Sequence, residues 1–267
     1  MAFIITKIGA LEYQAAGNIA VPHGFTTRLG GVSQGHLASM NIGTSRGDAR
    51  ENVLENYRVL GEAIGFSPED LVLSRQAHTD IVRQVGEAER GAGLFAPPLT
   101  DCDALITNTP GLALVVFSAD CTPILLHDPV TGAVGAVHAG WRGTALGIAG
   151  KAVAEMVRVF GARPADIRCA IGPNIGQCCF ETDSDVPEAM LAALGPEAEG
   201  AIRRTGEKYY VNLKELNAMW LRRAGVCSVE ISLDCTACQP EKYWSHRRTG
   251  DRRGSQGAII LCKGAKQ

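Results

Sequence analysis

Short apolar runs rich in Val, Ile and Leu recur along most of the chain, and they constrain its fold more than any other feature. Their lengths, and the turn residues between them, are typical of buried strands. Several of these runs follow one another without a helical pattern between them, which predicts an α/β sandwich with a mixed sheet. The predicted strands are 71–74, 79–85, 104–107, 112–118, 123–127, 133–138, 167–171, 208–211, 229–233 and 258–262.

Helical periodicity occupies several of the stretches between these runs. In residues 49–65 apolar side chains recur at helical spacing, with Asp48 as the expected cap and Gly65 as the expected stop. Residues 22–48 are instead rich in Gly, Ser, Thr and Asn, which predicts a long loop or short irregular strands, and loops of that length are usually functional. The other predicted helices are 143–160, 184–194 and 212–224.

Composition limits the organisation and the compartment of the protein. With 267 residues, of which 46% are hydrophobic, and no repeat or linker-like stretch, residues 1–267 are predicted to form one domain. The formal net charge of -2 gives no reason to expect nucleic acid or a membrane as a partner. Nine cysteines, an odd number, and an N-terminus without signal-peptide features predict reduced thiols in a cytoplasmic protein.

One constellation of residues suggests chemistry. Cys121 and His138 lie at the ends of two successive predicted strands, and His78 lies at a break between two short apolar runs. Functional groups of α/β proteins gather outside strand ends, and three N/S ligands would leave the fourth position of a tetrahedral zinc open. The alternative is an inert buried thiol and hydrogen-bonded structural imidazoles, and residue types by themselves leave both interpretations open.

Several longer motifs carry a resemblance to a known family. They include "HGFTTRLGGVS", "QAHTDIV", "DCDALIT", "SADCTPILLHDP", "GAVHAGWRGT", "IGPNIGQCCFE" and "CTAC" followed by "SHRR", in that order. In these motifs the chain resembles the YfiH-like family, also called the peptidoglycan editing factor, laccase-domain or multicopper polyphenol oxidase family, and now the zinc-dependent purine nucleoside phosphorylases. The resemblance covers about residues 20–262.

The resemblance implies a fold, an activity and a metal site. The fold would be a three-layer α/β/α sandwich related to the cytotoxic necrotising factor toxins. The activity would be phosphorolysis of adenosine, inosine, guanosine or methylthioadenosine to the free base and ribose 1-phosphate, with deamination of adenosine as a secondary activity. Zn²⁺ would be held by His78, Cys121 and His138, which would also be the catalytic residues. The tail "RRTGDRRGSQG" (247–257) departs from the family pattern, which leaves open which arginine acts there.

Loop arginines are the candidates for binding phosphate. Arg46, Arg142 and Arg247, with Arg248 beside it, could each give charge-assisted hydrogen bonds to phosphate oxygens. A solvated or ion-paired arginine is the alternative for each of them. Of the group, Arg46 in "TSRGD" is the favoured phosphate ligand.

Other polar residues are candidates for supporting roles. Asn41 and Gln76 could hydrogen-bond the ribose or the base of a nucleoside, or could stabilise turns instead. Asp80, Asp103 and Asp120 lie beside the expected ligands in sequence, where a carboxylate commonly orients a metal-bound imidazole. For Asp103 and Asp120 we prefer that role to direct ligation.

The remaining cysteine motifs favour packing over chemistry. "CTAC" (235–238) has the spacing of a structural zinc site or redox pair, but such a zinc site needs two further ligands and His246 is not enough. Cys178 and Cys179 in "QCCFE" are predicted to pack or to line a pocket wall. "RLGGVSQG" lacks the Lys-Ser/Thr of a phosphate-binding loop, so nucleoside triphosphate binding is not expected.

Other functions compete with nucleoside phosphorolysis. A metal-free hydrolase could use His138 to activate Cys121 as a nucleophile. A binding or editing role in cell-wall synthesis is a further alternative. Copper-based laccase chemistry fits poorly, because the chain has six histidines and multicopper sites draw heavily on imidazole. The sequence leaves open whether the protein is a monomer or a homodimer.

Overall fold

The computed structural model describes residues 3–265, which form fifteen strands and six α-helices. The helices are α1 (Arg50–Ile64), α2 (Trp141–Ala145), α3 (Ile148–Phe160), α4 (Asp185–Leu194), α5 (Leu213–Arg223) and α6 (His246–Thr249). The strands are β1 (Ile4–Ile8), β2 (Leu11–Ala15), β3 (His23–Thr26), β4 (Leu71–Leu73), β5 (Val82–Gln84), β6 (Ala104–Thr107), β7 (Ala113–Ser118), β8 (Thr122–His127), β9 (Val134–Ala139), β10 (Arg168–Ile171), β11 (Glu181–Thr182), β12 (Ile202–Thr205), β13 (Lys208–Val211), β14 (Ser228–Ile231) and β15 (Gln256–Leu261).

The strands are divided between two six-stranded sheets and one small sheet. The first sheet has the order β1-β2-β3-β15-β7-β4, and the second has the order β14-β10-β8-β9-β6-β5. Both are mixed: β7 is parallel to β4 and antiparallel to β15, and β10 is parallel to β14 and antiparallel to β8. Strands β11, β13 and β12 form the third sheet.

Alternation of side chains along the strands shows how the two large sheets pack. Leu114 and Val116 of β7 belong to a buried cluster with Leu125 of β8, so this face of the first sheet lies against the second. Val115 points the other way and packs with side chains of α1, such as Tyr57. The outer face of the second sheet is covered by α3 and α5.

The α/β prediction with mixed sheets is confirmed, while the layers number four rather than three. The sequence predicts one mixed sheet because several strands follow one another without an intervening helix, and the three layers are what the family resemblance implies. Instead β8 pairs with β9, and β7 pairs with β15 and β4. The chain therefore crosses from one sheet to the other between Ser118 and Thr122, and the sandwich has the layer order α/β/β/α.

Local differences from the predicted elements have physical causes. The helix expected at 143–160 is broken at Gly147, which has φ +76° and leaves room for the indole of Trp220. Asp48 does not cap α1, whose N-cap is Ala49, because the Asp48 carboxylate accepts hydrogen bonds from Ser33, Asn41 and Asn52. Gly65 does end the helix, with φ +99°.

Four strands were not predicted, namely β1, β2, β11 and β12, while β3 lies in the segment expected to hold a loop or short irregular strands. β11 has two residues, and polar residues interrupt the apolar ones in β2 and β12. β1 lies at the edge of the first sheet with its isoleucines exposed. Within residues 3–265 no helix combines the length and the apolar character needed to cross a bilayer.

Candidate active site

Three side chains meet where the chain passes between the two large sheets. His78 lies on the connection from β4 in the first sheet to β5 in the second, and Cys121 lies on the connection from β7 to β8. His138 lies on β9, whose register pairs it with Pro123 of β8. The ligating atoms of all three side chains lie within 4.8 Å of one another.

The geometry of this His78, Cys121 and His138 set, the triad below, leaves space for an ion. The Sγ atom of Cys121 is 3.9 Å from Nε2 of His78, and the two imidazoles meet edge to face at 84° with centroids 5.0 Å apart. A side chain at Gly140 would close this space, because its Cβ would lie 2.9 Å from Cδ2 of His78 and 3.3 Å from Sγ of Cys121. The triad is therefore a set of three donors that can hold a metal ion.

Asp103 positions both histidines with a single buried carboxylate. One oxygen accepts a hydrogen bond of 2.8 Å from Nδ1 of His138 and one of 3.1 Å from the backbone N–H of His78. The other oxygen accepts from the backbone N–H of Ala77 and from the N–H and hydroxyl of Thr79. Since an ionised carboxylate only accepts, Nδ1 of His138 carries a proton, and Nε2 is the ring nitrogen left to face the triad.

Two members of this region have a backbone conformation that side chains disfavour. Within residues 3–265, the non-glycine residues with positive φ are His78 at +60° and Asp120 at +90°. Hydrogen bonds hold both of them. The Asp120 carboxylate accepts from the hydroxyls of Thr236 and Ser245 and from the backbone N–H of Arg247. Backbone strain of this kind is concentrated at functional sites.

The charges of the triad favour a thiolate beside an imidazolium in the metal-free protein. Burial raises the pKa of the Cys121 thiol, but the positive charges and hydrogen bonds of His138 and His78 outweigh burial and lower it. Burial lowers the pKa of His138, and the negative charge of Cys121 and the carboxylate of Asp103 raise it by more. The pKa of Asp103 falls to about 2, because its hydrogen bonds to His138 and Thr79 outweigh its burial.

A polar pocket of about 400 Å³ opens on one side of the triad, and two arginines line it. Arg46 and Arg253 form no ion pair within the part of the chain that the structure describes, and Nε of Arg253 is buried without a hydrogen-bond partner. Burial and the positive charge of Arg46 both lower the pKa of Arg253. A cavity that the described residues line with these two arginines and with no carboxylate offers charge-assisted hydrogen bonds that suit an anion.

A second pocket of about 270 Å³ lies on the other side of the triad. The two pockets share His78, Cys121 and Arg253 as lining residues. The wall of the second pocket is more apolar and includes two aromatic side chains, so it suits a planar ring system. Its apolar lining residues are Trp141, Ile175, Phe180 and Leu213.

Three of the predicted substrate-binding residues each line one of the two pockets. Arg46 and Gln76 line the polar pocket. The amide of Gln76 is already used, since it donates to the carbonyl oxygen of Phe117 and accepts from its N–H and from Ser74. Arg247 lines the second pocket, while its guanidinium donates to the carbonyl oxygens of Cys179 and Glu181.

The other two predicted substrate-binding residues, Asn41 and Arg142, line neither pocket. Asn41 is fully buried and lines neither pocket, because its amide binds Asp48 and the backbone of Gly43 and Ser255. It therefore braces the loop that carries Arg46. Arg142 is exposed outside both pockets, with its guanidinium over the ring of Trp141 at 4.4 Å.

Sequence reasoning misplaced two carboxylates of the site. Asp80 pairs with Lys151, and the Asp120 carboxylate accepts from two hydroxyls and a backbone N–H instead of from an imidazole. The expected orienting role is that of Asp103.

Sequence reasoning also missed residues of the site. Arg253 was missed, although it lies in the tail segment 247–257 where the acting arginine was left open. The richness of that segment in arginine was the only signal for it. No feature of the sequence indicated that Trp141 and Phe180 would line a pocket.

Comparisons with known proteins agree with the fold. A family model described as multi-copper polyphenol oxidoreductase laccase matches residues 22–263. The chain is 39% identical over 261 residues to the purine nucleoside phosphorylase YlmD of Geobacillus stearothermophilus, covering 94% of this chain and 92% of that protein. It is also 34% identical over 226 residues to the purine nucleoside phosphorylase YfiH of Shigella flexneri, covering 84% and 86%.

A solved structure gives the same result in three dimensions. The crystal structure of YlmD from Geobacillus stearothermophilus superimposes with a TM-score of 0.91 at 36% sequence identity, covering 98% of this chain and 99% of that chain. The predicted YfiH-like resemblance is confirmed.

Proposed function

The chain belongs to the YfiH-like laccase-domain family, and from that premise we propose that it is a purine nucleoside phosphorylase. The name purine nucleoside phosphorylase is carried by relatives that are 34–39% identical to this chain and align with most of it. The proposed reaction joins inorganic phosphate to the ribose of adenosine, inosine, guanosine or methylthioadenosine. The bond between ribose C1′ and the purine nitrogen breaks, a bond from C1′ to a phosphate oxygen forms, and the base leaves with a proton.

The observation that carries this proposal is the pair Arg46 and Arg253 beside the triad. Both guanidinium groups line the polar pocket that reaches His78, Cys121 and His138. Neither arginine forms an ion pair in the described residues, so phosphate would supply the direct anionic partner of both. In this position the arginines would hold the phosphate nucleophile beside the triad.

Zinc is the metal that the triad fits best. A mixed set of imidazole and thiolate donors suits zinc, whose tetrahedral ligands lie about 3.3–3.8 Å apart at usual bond lengths. The 3.9 Å between Sγ of Cys121 and Nε2 of His78 is close to that range. Three protein ligands leave one position open, which is typical of catalytic sites. When bound, zinc would supply a Lewis acid that orients an oxygen of phosphate or substrate.

The chain's own residues position this chemistry. Asp103 fixes the tautomer of His138 and holds the backbone of His78, so the triad is formed before substrate arrives. The apolar pocket lined by Trp141 and Phe180 offers a stacking surface for the purine. A nucleoside lying across the triad would therefore have its base on the aromatic side and its ribose toward the arginines.

A metal-free Cys121 hydrolase is the second candidate, and one observation favours it. The charges of His138 and His78 lower the pKa of Cys121, which increases the fraction of the nucleophilic thiolate. Such an enzyme would not need phosphate or a metal. Multicopper laccase chemistry lacks support, because such centres draw on many imidazole ligands and two of the six histidines of the chain are used in the triad.

The test follows products from inosine and adenosine by chromatography, with and without phosphate, in the parent and in His138→Ala. We expect free base and ribose 1-phosphate to form only when phosphate is present, and base release to be lost in His138→Ala. His36→Ala is the matched control, since His36 is exposed and lies outside both pockets. Base release that ignores phosphate would indicate a hydrolase, and conversion of adenosine to inosine would reveal the secondary deaminase activity.

A further inference from the structure

Four cysteines from two distant segments meet on the surface beside the second pocket. Cys178 and Cys179 follow β10, and Cys235 and Cys238 follow β14. A backbone bridge between Asn174 and Cys235 holds the two segments together. All four sulfur atoms lie within 4.8 Å of one another, so the two ligands that "CTAC" lacked in sequence come from "QCCFE".

The arrangement fits one tetrahedral ion better than a disulfide. The sulfur of Cys238 is 3.5 Å from that of Cys178 and 3.3 Å from that of Cys179, so neither neighbour is singled out as a partner. Thiolates around zinc at bond lengths of about 2.3 Å have their sulfur atoms about 3.8 Å apart. Sulfur atoms this close around one centre match a single ion with four thiolate ligands.

The surroundings of the four cysteines are those of a formed site. The backbone N–H of Gly176 donates to Sγ of Cys235 at 3.1 Å, which is the contact a thiolate ligand needs. A Cβ at Gly176 would lie 3.1 Å from Cβ of Cys235 and 3.2 Å from Sγ of Cys178, so glycine leaves room for the sulfur atoms. The buried ammonium of Lys214 donates to the carbonyl oxygens of Ser232 and Asp234 next to this cluster.

We propose that Cys178, Cys179, Cys235 and Cys238 bind one Zn²⁺ in a second, structural site, called the cysteine site below. Four protein ligands fill a tetrahedral shell, so this ion would have no open position for substrate. Its effect is to join two loops that are far apart in sequence, as structural zinc ions do in small domains.

The joined loops carry residues of the active site. Residues 174–180 include Phe180 of the second pocket, and Arg247 of α6 donates to the carbonyl oxygen of Cys179. Thr236 directly follows Cys235 and donates its hydroxyl proton to Asp120, the residue before Cys121. The cysteine site therefore fixes the wall of the second pocket and the support of Asp120 without touching substrate.

The test counts zinc by metal analysis in protein purified from zinc-containing medium. Cys121→Ala isolates the cysteine site, and its X-ray absorption spectrum should show one zinc with four sulfur ligands and no nitrogen. Cys238→Ser should lose one zinc per chain relative to the parent, whereas Cys227→Ser, a change at an exposed cysteine outside both clusters, should lose none. The loss in Cys238→Ser is expected whether or not the triad binds metal, so failure of the proposed function would not hide it.

Alkylation of the native parent gives a second readout that needs no variant to fold. Cys178, Cys227 and Cys238 are all exposed. Zinc should protect Cys178 and Cys238 from iodoacetamide at least about tenfold relative to Cys227, and a chelator should remove the protection, because metal-bound thiolates react slowly. Equal reaction at the three cysteines, a disulfide in the anaerobically prepared parent, or unchanged zinc content in Cys238→Ser would overturn the proposal.

Discussion

The triad and the cysteine site are both built from metal-binding side chains, yet they differ in almost every physical respect. The triad has three mixed N/S donors at the crossover between two sheets, with a pocket on each side. The cysteine site has four sulfur donors on surface loops. The difference between the proposed roles follows from the number of protein ligands and the space around them, since three donors beside open pockets suit a catalytic ion and four donors suit a structural one.

The hydrogen-bond partners and the backbone strain also differ between the two sites. A single carboxylate, that of Asp103, aligns both histidines of the triad, and the strained backbone of His78 and Asp120 lies there. At the cysteine site the backbone N–H of Gly176 donates a hydrogen bond to Sγ of Cys235. Strain and a shared orienting carboxylate thus accompany the open site, while the closed one relies on its own four ligands.

The largest loss of activity is expected from a change at Cys121. Cys121→Ala removes a triad ligand, so we expect the kcat/KM for inosine phosphorolysis to fall by about 10³-fold, since metal assistance supplies several kcal/mol. Steady-state assays at saturating phosphate check this. Cys227→Ala is the control and should keep parental activity. A Cys121→Ala protein with parental activity would remove the triad from the reaction.

The second largest effect is expected on the KM for phosphate, from a change at Arg253 in the polar pocket. Arg253→Ala should raise the KM for phosphate by about 10–100-fold and leave the KM for inosine within a few-fold, because a lost charge-assisted hydrogen bond costs about 1.5–3 kcal/mol. Varying phosphate at fixed inosine measures it. Arg142→Ala, which removes an exposed guanidinium outside both pockets, is the matched control. An unchanged KM for phosphate in Arg253→Ala would place the anion elsewhere.

Asp103 tests whether orientation of the imidazoles matters. Asp103→Asn keeps the shape of the side chain but removes the charge that fixes the Nδ1 proton of His138. We expect the zinc affinity of the triad to fall by about 10–100-fold, the usual effect of losing a partner of a ligating imidazole. Competition with a chromophoric chelator in the Cys238→Ser background measures the triad alone. Parental affinity would show that Asp103 holds only the backbone of residues 77–79.

The smallest effect on activity is expected at the cysteine site. Cys238→Ser should lower the melting temperature by roughly 5–10 °C, because a lost structural ion removes a few kcal/mol of folding free energy. The turnover number should change by less than about tenfold, since no ligand of this site touches substrate. Thermal unfolding and steady-state assays give both values. A loss as large as that of Cys121→Ala would mean that the two sites are not separable in function.

The sequence singled out the three triad residues as candidates because each lies beside a strand that could be recognised locally, while their role as zinc ligands was what the family resemblance implied. Cys121 and His138 flank the apolar runs of β8 and β9, and those strands pair directly. The division into two sheets was not predictable in this way. Whether β7 pairs with β8 or with β15 depends on contacts between residues far apart in the chain, and the local pattern is the same in either case.

The same reason explains the residues that were missed or misplaced. Arg253 reaches the triad only because β15, which follows it, lies beside β7 in the first sheet. Asn41 had the right residue type for contact with substrate, but tertiary hydrogen bonds to Gly43 and Ser255 use its amide inside the protein. Cys178 and Cys235 are 57 positions apart, so no spacing rule could join them into one site.

Removal and return of the metal tests the central claim that the triad is an open, metal-dependent centre. The parent is dialysed against a chelator, zinc per chain is measured, and base release from inosine with phosphate is followed as Zn²⁺ is added back. We expect activity to disappear with the triad's zinc, to return as that site refills, and not to return in Cys121→Ala. Full base release from the metal-free parent would contradict it and would favour catalysis by the Cys121 thiolate.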